Sequence, residues 1–142
     1  MISLFDTVTR LVLAFLLGSL IGLEREKKRT SAGLRTHILV CTGAALIMLT
    51  SLYIYDIYQD KGSIDPGRIA AGVVTGIGFL GAGAIIRSRE GIKGLTTAAS
   101  IWISAAIGLA VGCGYFSAAV TVTIISYLCL YSLKKLEKRL NE

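Results

Sequence analysis

The segment Arg68–Ile86 constrains the fold of this chain more than any other stretch. It reads RIAAGVVTGIGFLGAGAII, carries no charge after its first residue, and is nearly half glycine and alanine. In water, each glycine would weaken a helix by about 1 kcal/mol relative to alanine. In a bilayer, no water competes for the backbone hydrogen bonds, and the missing side chains let another helix approach closely. The segment therefore predicts a central membrane helix that is packed on most sides by protein.

Three glycines of this segment, Gly76, Gly78 and Gly81, also match the dinucleotide-binding pattern G-x-G-x-x-G. That pattern requires a preceding strand and an acidic residue about 20 residues later. The residues before Gly76 do not resemble a strand, and the segment is long enough to span a membrane. We therefore interpret these glycines as helix-packing positions, and we expect no nucleotide or other cofactor.

The composition is that of an integral membrane protein. Of the 142 residues, 54% are hydrophobic and 17% are charged, whereas a soluble domain has about 25% charged residues. A chain of this length forms one bundle, so we expect residues 1–142 to be a single domain. The first apolar run has no small-residue cleavage site before Glu24, which indicates a retained span and not a signal peptide.

The fold class that follows is all-α, a bundle of about five transmembrane helices. Five apolar stretches have the length of about 20 residues that a bilayer requires; they are Leu4–Leu23, Thr36–Tyr55, Gly67–Ile86, Leu95–Cys113 and Gly114–Leu133. An alternative with four spans has one long fourth helix in place of the last two stretches.

The basic residues predict the topology. One side of the membrane receives 12 of the 15 Lys and Arg residues, namely Arg25, Lys27, Lys28, Arg29, Arg35, Arg87, Arg89, Lys93, Lys134, Lys135, Lys138 and Arg139. Positive-inside statistics make this side cytoplasmic. Five spans then put the N-terminus outside and the C-terminus inside a bacterial inner membrane, whereas four spans would leave one basic end on the wrong side. The same charges attract anionic lipid, and nothing in their pattern indicates nucleic-acid binding.

An internal repeat is a further hypothesis. Gly33-Leu34-x-Thr36 recurs 61 residues later as Gly94-Leu95-x-Thr97, and Ala44-Ala45 recurs as Ala105-Ala106. Two hairpins with the same direction would form a parallel repeat, as in some transporters. Chance coincidence in a chain rich in Gly, Ala and Leu is the equal alternative.

Two spans carry stripes at four-residue spacing. In the first span an Asp6–Arg10 ion pair is expected above Ala14, Gly18 and Gly22; the fourth span carries Thr96, Ser100, Ser104, Gly108 and Gly112. Such faces pack helices or line a polar cavity, and packing is favoured because hydroxyl groups in spans commonly bond to their own helix. The predicted helix-packing glycines are Gly18, Gly22, Gly72, Gly76, Gly78, Gly81, Gly83 and Gly108.

Charged residues near the predicted cytoplasmic boundary are the candidates for a functional cluster. Glu24, Arg35 and His37 lie where an unpaired charge is costly and tends to have a partner. A capped helix start explains His37, the only histidine, more simply than proton or ligand sensing does. Trp102 lies near the middle of its span, and we expect it to pack against the glycine-rich third span.

Five ordered blocks between residues 14 and 112 carry a family resemblance. They are LGSLIGLERE at 17–26, AGLRTH at 32–37, DPGRIAA at 65–71, GIGFLG at 76–81 and GLTTAASIW at 94–102. Together they resemble the MgtC/SapB family of bacterial inner-membrane proteins. The resemblance implies a five-span domain and a link to growth in scarce magnesium and to virulence. Its blocks and the boundary residues together give the candidate set for a functional cluster, namely Glu24, Arg25, Glu26, Arg35, Thr36, His37, Arg68, Thr96, Thr97 and Trp102.

The chain departs from the family pattern in two respects. MgtC-like members carry a soluble C-terminal domain that resembles ACT modules, and we expect this chain to be a short form without it. The family also commonly has Asn at the position of His37 and within the block 94–98, where this chain has Thr96.

Two functional hypotheses follow. The first is a binding or regulatory membrane protein linked to magnesium homeostasis, with a homo-oligomer (a dimer above all) or another membrane protein as partner. The alternative is a transporter of Mg²⁺ or another cation along the repeat interface. Mg²⁺ prefers carboxylate and carbonyl oxygens, but no acidic path crosses the predicted spans, so no metal ligands are assigned. No nucleophile–base set is present, and we expect no enzymatic activity.

Overall fold

A computed structural model describes residues 2–61, 64–89 and 91–133 as an all-α bundle. Its five helices are α1 (Leu4–Lys27), α2 (Leu34–Tyr58), α3 (Gly67–Gly83), α4 (Leu95–Gly112) and α5 (Phe116–Leu128). A 3₁₀ turn (Gln59–Lys61) follows α2, and a π-helical turn (Cys129–Leu133) extends α5. The predicted all-α class with five helices is confirmed. The basic tail residues Lys134, Lys135, Lys138 and Arg139 lie outside the described residues.

Three of the helices, α1, α2 and α4, are long and apolar enough to cross a membrane. The apolar helices α3 and Phe116–Ser132 are shorter, but their 17 residues still reach the lower limit of about 17 for a span. The third helix ends at Gly83, earlier than the predicted Ile86. Its last turn tightens, since the N–H groups of Ala84 and Ile85 donate three residues back, to Gly81 and Ala82.

A short β-hairpin, which the sequence analysis did not predict, connects α3 to α4. Strand β1 (Ile86–Ser88) pairs antiparallel with β2 (Gly91–Lys93), with Ile86 opposite Lys93. Gly94 follows with φ +93°, and a Cβ at this position would collide with the carbonyl group of Ala84. Only glycine fits this backbone, so Gly94 fixes how the hairpin enters α4.

Helix ends are set by local sequence. At the start of α1, Ser3 Oγ accepts a hydrogen bond from the N–H of Asp6 (3.0 Å), and Asp6 Oδ2 accepts one from the N–H of Ser3 (3.3 Å). At the end of α4, Gly114 (φ +87°) allows Tyr115 N–H to donate to Ala110 O at 2.8 Å. These are a capping box and a Schellman motif, and the latter turns the chain back into α5.

The expected Asp6–Arg10 ion pair is wrong. The carboxylate of Asp6 accepts from Ser3 in the capping box. Arg10 Nη1 instead donates to the carbonyl oxygen of Gly112 at 2.8 Å, and its guanidinium lies 5.9 Å from the ring centre of Phe116. A cation at the C-terminus of a helix interacts favourably with the helix dipole, so Arg10 connects α1 to the end of α4.

Helix α4 is the central element, because it contacts all four other helices. The buried core lies where α1, α2, α4 and α5 meet, and its members are Ala14, Leu17, Ile21, Cys41, Ala45, Ile107, Val111 and Ala119. The prediction that the glycine-rich segment is the central helix is wrong within this chain. In α3 only Gly81 is buried, and a Cβ built at Gly72, Gly76, Gly78 or Gly83 would have no atom of another described helix within 4 Å.

The closest helix contacts are made by two glycine pairs on other helices. A Cβ at Gly18 or Gly22 would lie 2.8 Å from atoms of α2, in Cys41 and Leu34 respectively. A Cβ at Gly112 would lie 2.6 Å from the carbonyl oxygen of Ala45, and one at Gly108 would be closer still to the carbonyl oxygen of Cys41. Helix α2 therefore packs with its backbone against glycines of both α1 and α4.

We expect Gly108→Ala to destabilise the protein by about 1–3 kcal/mol, because its methyl group meets a backbone carbonyl that cannot move without separating α2 from α4. Thermal unfolding of the purified protein in detergent measures the change. Gly78→Ala is the matched control, since its methyl group enters open space and alanine favours helix by up to about 1 kcal/mol. Equal melting temperatures for the two variants would contradict the close contact.

Candidate functional site at the basic end of the bundle

The basic end of the bundle is the end where α1 and α5 finish and where α2 and α4 begin. Contacts join these termini: Glu26 of α1 accepts from the backbone of α2, and Lys28 donates to the carbonyl oxygen of Leu130 in the π-helical turn. The loop after α1 and the β-hairpin also lie at this end, and both are rich in Arg and Lys. The five residues of the candidate set between Glu24 and Thr36, together with His37 and Thr97, lie here.

The buried carboxylate of Glu24 pairs with two cations at the basic end. The exposed fraction of Glu24 and of Arg25 is 4% each. Arg25 Nε donates to Glu24 Oε2 at 2.6 Å, and Lys28 Nζ forms an ion pair with Glu24 Oε1. Two cations therefore share one carboxylate, so this group of three side chains carries a net charge of +1.

Glu26 has a different task. Its Oε2 accepts a hydrogen bond from the N–H of Leu34 at 2.9 Å. The N-cap residue of α2 is Gly33, which has no side chain to cap the helix, and Glu26 supplies the missing acceptor from α1. Arg35 is exposed beside it and Thr36 is partly buried. The N-terminus of a helix carries a partial positive charge. At the N-terminus of α2 this charge is already paired with the carboxylate of Glu26.

The turn that leaves α1 is held in a costly conformation. Arg29 has φ +52°, and it is the non-glycine residue with a positive φ among those described. The N–H of Thr30 donates to the carbonyl oxygen of Arg25 at 3.2 Å, and the N–H of Arg29 donates to that of Glu26 at 3.0 Å. This Schellman motif normally has glycine at the position of Arg29. The hydroxyl group of Thr30 adds a contact to Ala32 O at 2.9 Å, so the short loop is fixed from both sides.

His37 is completely buried beside the charged group. Its Nδ1 lies 2.7 Å from Gly33 O, and its Nε2 lies 2.9 Å from Ser100 Oγ of α4. A carbonyl oxygen only accepts, so Nδ1 carries a proton and donates to Gly33. In the neutral ring, Nε2 accepts, and the one hydroxyl proton of Ser100 is directed either to Nε2 or to the carbonyl oxygen of Thr97, which lies 2.8 Å from Ser100 Oγ. Both ring nitrogens thus lie within hydrogen-bond distance of a partner at the start of α2.

Two glycines of α1 create the space for His37. A Cβ at Gly22 would lie 3.2 Å from His37 Cβ, and one at Gly18 would lie 2.9 Å from the carbonyl oxygen of His37. The close approach of α1 to the first turn of α2 therefore brings His37 against the end of α1, where Glu24 and Arg25 lie. The packing glycines and the polar residues are parts of one local arrangement.

The remaining candidates lie apart from this cluster. Arg68 is exposed at the opposite end, in the first turn of α3. Thr96 and Trp102 line a groove between α4 and α5, and 47% of the Trp102 side chain is exposed. The prediction that Trp102 packs against the glycine-rich helix is therefore wrong. Trp102 lies on the side of α4 opposite to Ser100 and Ser104, which belong to the buried face of that helix. Thr96 lies one turn before Ser100 and lines the same groove as Ser100.

Sequence reasoning did not assign Lys28 to the site, and it considered Ser100 only as one hydroxyl of the stripe on the fourth span. The four-residue spacing of Glu24 and Lys28 is the spacing that places opposite charges together on a helix, and it was the available signal for Lys28. The contact between His37 and Ser100 joins residues 63 positions apart. No local pattern encodes it, because it depends on how α2 packs on α4.

A resident metal site is not apparent at either end. Among the described residues, no group of three or more His, Cys, Asp or Glu side chains is arranged to hold a metal ion. Among the residues that the structure describes, the carboxylates of the basic end are engaged, Glu24 with Arg25 and Lys28 and Glu26 with Leu34. At the opposite end, Asp65 Oδ1 accepts from Gly67 N–H at 2.8 Å.

Comparison with known proteins gives the family. The model of the MgtC family matches residues 11–139, which include α2, α3, α4 and α5 and most of α1. The chain belongs to the MgtC family. This MgtC-family chain is 44% identical over 139 residues to "Protein MgtC" of Salmonella typhimurium (strain LT2), covering 98% of the chain and 57% of the relative.

Other relatives have the same degree of similarity. "Putative magnesium transporter YhiD" of Escherichia coli (strain K12) is 44% identical over 137 residues, which is 95% of this chain and 64% of the relative. "Uncharacterized protein slr0014" of Synechocystis is 40% identical over 136 residues, 96% of this chain and 56% of the relative. The MgtC-family chain thus spans less than two thirds of each of these proteins. No solved structure matches it.

We expect Ser100→Ala to destabilise this MgtC-family chain by about 1–3 kcal/mol, because it leaves the buried Nε2 of His37 without a hydrogen bond. Chemical or thermal unfolding in detergent measures the loss. Ser104→Ala is the matched control on the same buried face, since the hydroxyl group of Ser104 donates only to Ser100 O of its own helix (2.9 Å). A loss at Ser104 as large as that at Ser100 would mean that burial of any hydroxyl, not the contact with His37, is responsible.

Proposed function

We propose that this chain is a regulatory membrane protein that acts by binding another membrane component, in physiology linked to magnesium, and that it is not an enzyme. The observation that carries the proposal is the closed interior of the bundle. Glycines bring α2 into backbone contact with α1 and α4, and the core between them is aliphatic. A helix bundle without a polar path is suited to binding and not to conduction.

Most hydroxyl groups of the interior donate to carbonyl oxygens of their own helices; exceptions are the His37–Ser100 contact between α2 and α4, and Ser51, which donates to Pro66 O at 2.7 Å. Ser104 donates to Ser100 O at 2.9 Å, and Thr123 donates to Ala119 O at 2.7 Å. In the described helices, Asp, Glu, Lys, Arg and His lie within about two turns of a helix end. Mg²⁺ keeps its waters and seeks oxygen ligands, and such ligands do not continue through the middle of the bundle.

The orientation in the membrane is part of this proposal. We infer a bacterial inner membrane with the basic end toward the cytoplasm, because positive residues concentrate on that side of inner-membrane proteins. Among the described residues, eight Lys or Arg lie at the basic end, namely Arg25, Lys27, Lys28, Arg29, Arg35, Arg87, Arg89 and Lys93. The N-terminus would then lie outside and the C-terminus inside.

Transport of Mg²⁺ or another cation is the second candidate. The buried polar group of Glu24, His37 and Ser100 favours it, since ionisable residues within membrane helices often mark ion or proton pathways. The name of the Escherichia coli relative, "Putative magnesium transporter YhiD", points in the same direction. Against it, both oxygens of Glu24 already face cations, and both nitrogens of His37 lie within hydrogen-bond distance of a partner.

The open face of α3 is the surface we propose for the partner, and a second copy of the chain is the first partner to consider. Gly72 and Gly76 form a G-x-x-x-G pair and line a groove between α2 and α3. The floor of this α2/α3 groove is glycine and its walls are aliphatic, with Leu39, Ile47 and Leu80 among them. Glycine pairs at this spacing let two membrane helices cross closely.

We expect no flux of Mg²⁺, H⁺, Na⁺ or K⁺ through proteoliposomes that contain only this protein, because no chain of ligands connects the two ends. Ion-sensitive dyes inside the vesicles measure the rates. Glu24→Gln and Arg35→Ala are the companion variants. Flux that both variants abolish, with the folded protein retained, would establish transport and exclude the regulatory proposal.

Gly76→Leu is expected to weaken self-association in bilayers about tenfold or more, because a side chain at this position blocks the close crossing of two α3 helices. Single-molecule photobleaching at a series of protein-to-lipid ratios measures the dimer fraction. Gly78→Leu is the control, since Gly78 is equally open but does not line the α2/α3 groove. A dimer fraction that responds to Gly78→Leu and not to Gly76→Leu would place the interface elsewhere on α3.

A further inference from the structure

A second groove, between α4 and α5, is separate from the surface discussed above. It has a volume of about 760 Å³, within the range of about 300–1,000 Å³ that is typical of small-molecule sites. Its walls are mostly apolar and include Leu95, Ala99 and Ile103 of α4 and Ile125 of α5, with Cys129 and Leu130 at the end of α5. We call it the α4/α5 groove.

The length and position of the α4/α5 groove fit one leaflet of the bilayer. Along α4 it runs from Leu95, the first residue at the basic end, to Ile103. Eight steps of a helix cover about 12 Å, which is a little less than half of a hydrocarbon core of about 30 Å. A transmembrane helix of a partner would cross both leaflets, whereas an acyl chain occupies one. The groove therefore matches an acyl chain from the leaflet at the basic end.

The ammonium group of Lys28 lies at the basic end of this groove. Lys28 Nζ donates to the carbonyl oxygen of Leu130, a residue of the groove wall, and it also pairs with Glu24 Oε1. An ammonium group has three donors, and in the described part of the chain these two acceptors account for two of them. The Lys28 side chain is 21% exposed, so part of it is accessible from outside the bundle.

The charge at this point favours an anionic ligand. Among the described residues, Arg25 and Lys28 share the carboxylate of Glu24, so this group of three side chains has one positive charge in excess. The next carboxylate along α1, that of Glu26, is bound to the N–H of Leu34. An unbalanced positive charge at the membrane boundary beside an apolar groove is the complement of a phosphate group attached to an acyl chain.

We propose that the α4/α5 groove binds an anionic phospholipid of the adjacent leaflet, with an acyl chain between α4 and α5 and the phosphate group on Lys28. This inference goes beyond the regulatory proposal and does not depend on it, since the groove and the cation are present whatever the protein regulates. It assigns Lys28 a role in lipid selection, and it assigns Ala99 and Ile103 to the bed of the acyl chain.

Native mass spectrometry of the detergent-purified full chain, titrated with phosphatidylglycerol or phosphatidylcholine of the same acyl chains, tests the proposal. We expect phosphatidylglycerol to bind more tightly to the unmodified chain. Lys28→Gln should weaken phosphatidylglycerol binding about fivefold, the effect expected of one basic residue at a membrane surface. The affinity for phosphatidylcholine should change little.

Lys27→Gln is the matched control, because it removes the same charge from an exposed position one residue away. Equal weakening by Lys27→Gln and Lys28→Gln would mean diffuse surface attraction and would overturn the site. Ala99→Phe should fill the groove and reduce binding of both lipids, whereas Ala71→Phe, on the exposed face of α3, should not. Unchanged binding by folded Ala99→Phe protein, judged by a single elution peak and an unaltered melting temperature, would also overturn the proposal.

Discussion

Close contact between the backbones of α1, α2 and α4 is the constraint on which the rest of this structure depends. In lipid, apolar side chains gain little by leaving one apolar environment for another, so helices associate through tight packing. The pairs Gly18/Gly22 and Gly108/Gly112 provide this packing, and both have the G-x-x-x-G spacing. Helix α2 lies between them and presents backbone atoms, not long side chains, to each.

The polar cluster is a consequence of this packing. Because Gly22 admits the first turn of α2, His37 is buried against the end of α1, and Ser100 of α4 then completes its hydrogen bonds. The same close approach of α1 and α2 buries Glu24 and Arg25 at the end of α1. The carboxylate of Glu24 then pairs with the cations of Arg25 and Lys28. Polar residues in a membrane bundle are costly unless they are paired, so this cluster also restricts how α1, α2 and α4 can be arranged.

The sequence was sufficient to predict the class of fold, the five helices and the family, because apolar length and the ordered blocks are local properties. It was also sufficient to identify Gly18, Gly22 and Gly108 as small positions on regularly spaced faces. It was not sufficient to decide which glycine face meets which helix. The pair Gly72/Gly76 has the same spacing as Gly18/Gly22 and Gly108/Gly112, but no other helix of the described chain packs closely against it. The glycine-rich and alanine-rich composition of α3 predicted a central helix. Composition indicates a surface suited to close packing, but it does not distinguish a packing helix of the same chain from one of another molecule.

The positions that the sequence misassigned share a physical cause. Arg10 and Asp6 have the spacing of an ion pair, but a capping box takes the carboxylate and the end of α4 takes the guanidinium. Trp102 was assigned by its depth in the membrane, whereas its direction depends on the rotation of α4 about its own axis. Helix rotation is determined by the buried face of Ser100, Ser104 and Gly108, and that face could be recognised only once its partner on α2 was known.

The two unfilled surfaces are separate from one another, which has a consequence for the proposed functions. The α2/α3 groove and the α4/α5 groove share no wall residue, so a protein partner on the first and a lipid on the second do not compete for space. Both are connected to α4, which contacts α3 on one side and α5 on the other. Helix α4 also carries Ser100, which contacts His37 of α2. The proposed lipid and the proposed protein partner would therefore occupy separate surfaces of helices that are all in contact with α4.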